Sequence, residues 1–251
     1  MTATENASVR AIVDDLAASL VTIGTPARAT QEKRYLKSDL EHLGATVPQV
    51  RTLTRALLDQ ASIDTHQRLL ALATELWKRP VHELRAASIE ALRARADLLR
   101  IDDLAFCEAH IRQAHTWALV DPLATDVVSP IVVRFAPDPD IDSALDRWIV
   151  DADFWVRRAA LLSQRAIVCT ASGDASRFFT YADTNLDDRE FFIRKAIGWV
   201  LRDMSKGRPD EVFNWLLPRA HRCSGVTIRE AVKYLAPDQR EQVLKRWKSD
   251  R

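Results

Sequence analysis

The sequence predicts an all-α protein built as an α-solenoid, and three observations support this class. The chain has only six glycines among 251 residues, which disfavours folds that need many turns with positive φ, such as sandwiches, barrels and phosphate-binding α/β sheets. A short motif recurs along the chain at an almost constant interval. Around each copy the apolar residues fall at helical spacing. Together these features indicate stacked helical repeats.

The recurring motif begins with an apolar residue, which an arginine follows in five of six copies. The copies begin at Val50, Leu84, Val120, Val156, Ile193 and Ile228, so their intervals are 34, 36, 36, 37 and 35 residues. A second apolar helical segment precedes the motif, as at 104–114 and 141–149. Two helices per unit with this period are typical of HEAT-like repeats. We therefore expect residues 10–251 to form a single curved domain with a concave groove, after a flexible N-terminus at residues 1–9.

The net charge indicates no particular partner, and the cysteines and the N-terminal segment predict a cytoplasmic protein. Thirty-six basic and 35 acidic residues leave a formal charge of +1. Cys107, Cys169 and Cys223 lie far apart, which predicts reduced thiols and neither disulfides nor a zinc site. The N-terminal apolar pattern contains acids, unlike a signal peptide. We expect a soluble cytoplasmic protein, associated with the nucleoid if it binds DNA, with no contact to membranes.

The distribution of charge is more informative than its sum. The motif-bearing segments 155–166 and 191–202 carry arginines and a lysine but no acid, whereas segment 181–190 carries four acids against one arginine. Charge is therefore segregated by helix layer, and the basic layer is expected to line the groove. Such a groove fits an anionic rod such as duplex DNA.

The basic residues divide into two groups by their position in the repeat. An arginine directly after the first motif residue is explained most simply by packing and ion pairs between repeats; these arginines are Arg51, Arg85, Arg157, Arg194 and Arg229. Arg158 and Lys195 lie one position further on, where other copies have threonine, alanine, proline or glutamate. They are the better candidates for binding DNA, and Arg194, beside Lys195, is kept as a further candidate.

The third copy of the motif departs from the others, because Asp121 replaces the arginine. Trp117 lies four residues before Asp121, and Trp199 lies four residues after Lys195. A spacing of four places each pair on one face of a continuous helix. The alternative for Asp121 is structural: an aspartate followed by Pro122 is also the pattern of a helix N-cap with proline at the first position.

The sequence contains none of the common metal-binding, nucleotide-binding or hydrolase motifs. The six histidines show no ligand spacing, and the chain contains no HExxH, GxGxxG, P-loop or GxSxG pattern. We therefore expect neither a metal nor a cofactor.

Four segments resemble a known family, the AlkD-type DNA alkylation repair enzymes, which are HEAT-like DNA glycosylases. They are residues 34–51, 115–125, 153–164 and 190–206, of which the block FFIRKAIGWVLR is the most specific. The resemblance covers about residues 30 to 235. It implies base excision repair by hydrolysis of the N-glycosidic bond of cationic N3- and N7-alkylated purines in duplex DNA. It also implies that the lesion is not flipped out of the helix, so that bulky adducts are tolerated.

The resemblance also implies roles for individual residues. It gives Asp121 as the catalytic aspartate, Trp117 and Trp199 as aromatics at the deoxyribose, and Arg158 as a phosphate ligand. Tyr35 corresponds to an aromatic on the lesion side of the groove. The enzyme would act as a monomer without a cofactor.

Pro122 departs from the family pattern and puts the position of Asp121 in question. Two alternatives stay open: an inactive relative that only binds DNA, and a protein-binding HEAT scaffold.

Overall fold

The computed structural model describes residues 3–249, and the regular structure in that range is helical. Within that range, extended pairing is limited to an isolated parallel bridge between Glu41 and Val81. The all-α class and the helical-repeat fold are thus confirmed. None of the described helices combines the length and apolar character needed to cross a membrane.

The chain divides into two compact units, the first ending at Val127 and the second beginning at Val128. The sequence predicted one domain over 10–251 because no linker interrupts the repeats. The boundary lies inside a continuous helical stretch, where no linker composition could reveal it. Helix begins at Ala3 and Val9 is buried, while flexibility of the N-terminal residues stays a prediction; Met1 and Thr2 lie outside the described residues.

The first unit consists of seven helices within its described part. They are α1 (Ala3–Ile23), α2 (Pro26–Leu36), α3 (Val47–Gln60), α4 (His66–Lys78), α5 (His82–Ala94), α6 (Asp103–Ala114) and α7 (Trp117–Pro122). A 3-10 turn follows α5, and a π-helical segment, Leu123–Val128, follows α7 directly.

The second unit continues the same pattern of paired helices in the described range. Its helices are α8 (Ser129–Phe135), α9 (Pro139–Trp148), α10 (Phe154–Ser163), α11 (Arg165–Val168), α12 (Ser176–Thr184), α13 (Phe191–Met204), α14 (Pro209–Leu216), α15 (Gly225–Ala231) and α16 (Pro237–Ser249).

Every copy of the motif lies in the first turn of the second helix of a pair. The six copies begin at the third or fourth residue of α3, α5, α7, α10, α13 and α15. These second helices pack on one another within each unit, α3 on α5 and α5 on α7 in the first, α10 on α13 and α13 on α15 in the second. The repeat in the sequence therefore corresponds to a ladder of stacked helices.

Scarce glycine is accommodated because most helices begin with a side-chain cap or a proline and few turns need positive φ. Thr46 and Gln49 form a capping box at α3, and Asp153 caps α10. Positive φ occurs, in the described range, at Gly44 and at three residues of other types, Lys37, Ser62 and His115.

Gly198 lies where α13 closely approaches α15. A Cβ built at Gly198 would lie 2.9 Å from Glu230 Cβ and 3.1 Å from Thr227 Cα, and both residues are on α15. Neither partner atom is the mobile end of a side chain. The stacking of α13 on α15 therefore depends on the missing side chain.

We expect Gly198→Ala to lower the free energy of unfolding by about 1–3 kcal/mol through overpacking, although alanine favours helix by about 1 kcal/mol. Thermal unfolding followed by circular dichroism measures the change. Gly207→Ala is the matched control, because its Cβ would meet nothing within 4 Å. Equal melting temperatures for the two variants would contradict this account of the helix contact.

Candidate functional site

Trp117 and Asp121 lie one turn apart on α7, as their spacing predicted. Asp121 is 9% exposed and is the fifth residue of the helix. The N-cap of α7 is Thr116, whose hydroxyl accepts a hydrogen bond from the amide of Ala118 at 3.4 Å. The alternative in which Asp121 itself caps the helix is therefore wrong.

Pro122 ends α7 without ending the helical path. A proline lacks the N–H that would bond the carbonyl of Ala118, and the chain widens into the π-helical segment immediately afterwards. The hydroxyl of Thr125 donates to the carbonyl oxygen of Asp121 at 2.9 Å and lies 2.8 Å from the Asp126 carboxylate. The side chain of Thr125 thus links the π-helical segment to the backbone of Asp121.

Tyr35 and Trp117 come together from α2 and α7 at the rim of a cavity in the first unit. Their rings meet edge to face, with centroids 6.1 Å apart and planes at 89°. The tyrosine is 71% exposed. The cavity has a volume of about 230 Å³, and its apolar wall includes Val47, Val50 and Ile89. The sequence placed Tyr35 and Trp117 at one site, and the structure brings their rings together.

Carboxylates and arginines line the opposite side of this cavity. Glu90 is buried and accepts hydrogen bonds from Arg93 at 2.7 Å and from Arg55 at 2.9 Å, and Arg51 Nε lies 3.5 Å away. Burial would raise the pKa of Glu90, but these bonds and the nearby positive charges outweigh it and hold the pKa below its usual range. Glu90 stays ionised and gathers three arginines, of which Arg51 and Arg93 line the cavity.

In the second unit, Arg158 is a buried residue and is only 3% exposed. Its guanidinium donates a hydrogen bond to the carbonyl oxygen of Phe192 and lies 5.7 Å from the centroid of the Phe192 ring. The sequence treated Arg158 as a groove residue reaching for phosphate. The structure places it against the start of α13, with little surface open to solvent.

Lys195 is the more accessible of the two predicted phosphate ligands. Its side chain is 45% exposed, and its ammonium lies 3.7 Å from the carboxylate of Glu230 on α15. Glu230 also accepts hydrogen bonds from Arg202 at 2.5 Å and Lys233 at 2.9 Å. Because exposed pairs of this kind contribute about 0–1 kcal/mol, Lys195 can exchange this partner for another anion at low cost.

Trp199 belongs to a charged cluster that sequence spacing did not reveal. Its indole N–H donates to Asp203 Oδ2 at 2.9 Å, and Arg165 donates to the same oxygen at 2.7 Å while its guanidinium lies 5.8 Å from the indole centroid. Burial would raise the pKa of Asp203, but hydrogen bonds from Lys206 and Arg165 and the charge of Arg165 lower it to about 2. A buried carboxylate therefore fixes the plane of Trp199.

Of the arginines that follow the first motif residue, Arg85 and Arg157 bond to the next repeat, as their position predicted, whereas Arg194 bonds within its own repeat. Arg85 donates to the carbonyl of Gln113 at the end of α6 at 2.7 Å, and Arg157 pairs with Asp188 at 2.9 Å. Arg194 donates to the carbonyl oxygen of Asp188 at 2.7 Å. The geometry thus gives Arg194 a structural role, and a role in binding DNA stays a prediction.

The acid-free basic layer of the sequence is compensated in the fold. Its cations meet carboxylates from other segments: Asp188 precedes α13, Asp203 ends it, and Glu230 comes from the next repeat. Asp203 was detectable as the residue four after Trp199. Glu90 and Glu230 each have one local partner, Arg93 and Lys233 three residues later, but their other partners come from distant positions.

Comparison with known proteins agrees with the predicted resemblance. The model of the DNA alkylation repair enzyme family matches residues 16–235. A solved structure described as a predicted DNA alkylation repair enzyme from Enterococcus faecalis is similar in fold, with a TM-score of 0.76. It is 22% identical over 85% of this chain and 97% of its own. A search of curated proteins finds no match.

Asp203 should make stability depend on pH in the acidic range. Because its pKa is lowered on folding, the ionised form stabilises the fold above about pH 4, and this contribution is lost as the pH falls towards 2. We expect Asp203→Asn to be less stable than the parent protein at pH 6, with the difference shrinking between pH 4 and 2. Urea unfolding at several pH values measures it, with the exposed Asp64→Asn as control. A difference that stays constant down to pH 2 would contradict the assignment.

Proposed function

Because the chain belongs to the DNA alkylation repair enzyme family, we propose that it is a DNA glycosylase acting on cationic N3- and N7-alkylated purines in duplex DNA. Family membership gives it a role in DNA repair, with DNA as the substrate. The observation that carries the finer proposal is Asp121, a carboxylate that replaces the arginine of the ladder and lies one turn from Trp117 on α7.

The reaction places its electrostatic demand on the sugar. An alkylated purine is already positively charged, so its departure needs no protonation: the C1′–N bond breaks, and its electron pair neutralises the base. The deoxyribose left behind develops oxocarbenium character. Asp121 would stabilise that cation, orient a water molecule towards C1′ and accept its proton as the C1′–O bond forms.

Aromatic faces add to the stabilisation of the sugar cation. Trp117 and Trp199 each offer an indole that is partly open to solvent, and a cation above such a face gains about 0.5–2 kcal/mol. Tyr35 supports the edge of Trp117. For Trp199, the bond to Asp203 sets the orientation of the ring before substrate arrives.

The predicted phosphate ligands differ in how they would act. Lys195 is exposed on α13 and would bind a phosphate directly, setting the register on the duplex. Arg158 is buried against Phe192, so its contribution would be a positive potential, or contact with a phosphate only after local rearrangement.

The lesion is proposed to remain stacked in the duplex, in contrast to enzymes that flip their target. The candidate residues lie on helix faces, which supports access to backbone and sugar more than enclosure of a base. We further propose a monomer that works in the cytoplasm on nucleoid DNA.

Asp121→Asn should abolish release of 7-methylguanine while duplex binding survives. The amide is similar in shape but carries no charge to stabilise the sugar cation, so we expect the rate to fall at least about a hundredfold. The assay measures free base from methylated duplex DNA, with binding followed by fluorescence anisotropy.

Asp64→Asn is the control, because it removes an exposed carboxylate that does not line the cavity of Tyr35 and Trp117. It should retain activity. Unchanged release by the Asp121 variant would refute the mechanism. Duplex binding by a parent protein that releases no base would identify the inactive relative, and absence of salt-dependent binding would favour the protein scaffold.

Lys195→Ala should weaken duplex binding equally for all sequences and lower the slope of log affinity against log salt by about 0.9, the value for one phosphate contact. Lys78→Ala is the control, since this lysine also pairs with a glutamate, Glu75, but lies on the first helix of its pair. Binding measured between 50 and 200 mM salt separates the two. An unchanged slope for the Lys195 variant would exclude direct contact with phosphate.

A further inference from the structure

Three side chains with metal-binding atoms converge in the first unit, away from α7. Glu32 comes from α2, His42 from the segment between α2 and α3, and Glu83 from α5. One potential ligand atom of each lies within 4.8 Å of the others. Their positions in the sequence are too far apart for any spacing rule to join them, which is why the histidine pattern predicted no metal site.

His42 is buried without a hydrogen-bond partner. The residue is only 9% exposed, and neither Nδ1 nor Nε2 has a partner within the described part of the chain. Nδ1 lies 4.0 Å from Glu32 Oε2, which is also buried and unpaired by the same measure. Polar atoms buried in this way are unfavourable unless something binds them. His42 Nδ1 and Glu32 Oε2 therefore lie on the same small space.

The charges around this space are unbalanced towards the negative. Glu32 pairs with Arg28 at 3.1 Å. Glu83 is held by backbone groups instead: the amides of Leu43 and Gly44 donate to it at 2.6–3.0 Å. Two carboxylates thus meet one guanidinium, and Lys33 adds a positive charge that acts on His42.

The surrounding structure fixes two of the three ligands. The His82 ring stacks on His42 with centroids 4.6 Å apart and planes at 7°. Gly44 has φ +81°, and a Cβ there would lie 2.1 Å from the carbonyl oxygen of Thr25. The backbone that holds Glu83 is therefore locked against the start of α2. Supported ligands of this kind are typical of metal sites.

The cluster lies just beneath the surface, because the His42 side chain is only 1% exposed and that of Glu32 is 19% exposed. His42 lines an open surface groove together with Lys33, Asp39 and Glu41. Glu32 lies at the wall of the cavity that also contains Tyr35 and Trp117. An ion could enter from the groove, and a water molecule could complete its coordination.

We propose that Glu32, His42 and Glu83 bind a divalent first-row transition metal, with zinc as the reference ion. One imidazole nitrogen and two carboxylate oxygens suit zinc and its neighbours, whereas magnesium and calcium prefer oxygen ligands alone. Tetrahedral zinc with bonds of about 2.1 Å places its ligand atoms about 3.4 Å apart. The side chain of Glu32 must therefore move inwards by less than 1 Å relative to His42.

The metal would join α2, the following segment and α5. Tyr35 lies three residues after Glu32 on α2, so the ion would also steady the helix that carries Tyr35 to Trp117. This proposal does not depend on glycosylase activity, and its test measures binding alone.

The test is a zinc titration of the untagged full chain by calorimetry, with cobalt absorption as a second probe of the coordination. We expect one equivalent of zinc per chain and a rise in melting temperature on its addition. Glu32→Gln and His42→Gln should each weaken binding at least tenfold and abolish that rise. The exposed His221→Gln is the control and should bind as the parent protein does.

Absence of saturable binding would overturn the proposal, and so would zinc affinity in the Glu32 variant equal to that of the parent. Loss of binding in the His221 variant alone would show an adventitious surface site and would also refute it. If His42→Gln fails to fold by circular dichroism, Glu32→Gln decides the question, because Glu32 is only partly buried and its substitution preserves the shape of the side chain.

Discussion

The apolar face of each helix pair can be buried only against the neighbouring pair, and this constraint organises both units. Stacking places α3 on α5, α10 on α13 and α13 on α15. The second helices meet closely enough that a hydrogen in place of a side chain is needed at Gly198. The arginine after the first motif residue therefore serves the contact between repeats, as Arg85 and Arg157 do by bonding to the neighbouring repeat. The proposed chemistry depends on the repeat in which Asp121 replaces the arginine.

Carboxylates determine how positive charge is presented, and they differ in burial: Glu90 and Asp203 are buried, whereas Glu230 is partly exposed. Glu90, Asp203 and Glu230 each gather two or more cations. A cation held by a buried carboxylate is positioned but partly neutralised, whereas a cation in an exposed pair is readily given to another anion. This difference separates Arg165, which orients Trp199, from Lys195, whose ammonium lies 3.7 Å from its partner. A positive potential for DNA therefore depends on a few residues and not on a whole layer.

Much of the fold was predictable because its information is local and periodic. The interval of the motif located the second helices, and the spacing of Trp117 and Asp121 placed both on α7. The unit boundary was missed because it falls within helix at Val127 and Val128. Contacts between distant positions were not predictable, since nothing near Glu32, His42 or Glu83 in the sequence reports that folding brings them together.

The position of Asp121 gives the proposed chemistry its physical basis. Asp121 lies on a helix that is stacked against its neighbours, and the residue is only 9% exposed. A carboxylate in such a place does not have to reorganise when a cation develops nearby, and the low local dielectric strengthens the attraction between them. Pro122 is followed by a wider, π-helical turn. The hydroxyl of Thr125 in that turn donates a hydrogen bond to the carbonyl oxygen of Asp121. The backbone of Asp121 is therefore held in place although the helix is irregular after it. The stacking of helices that positions the arginines in other repeats thus positions the carboxylate of Asp121 in this one.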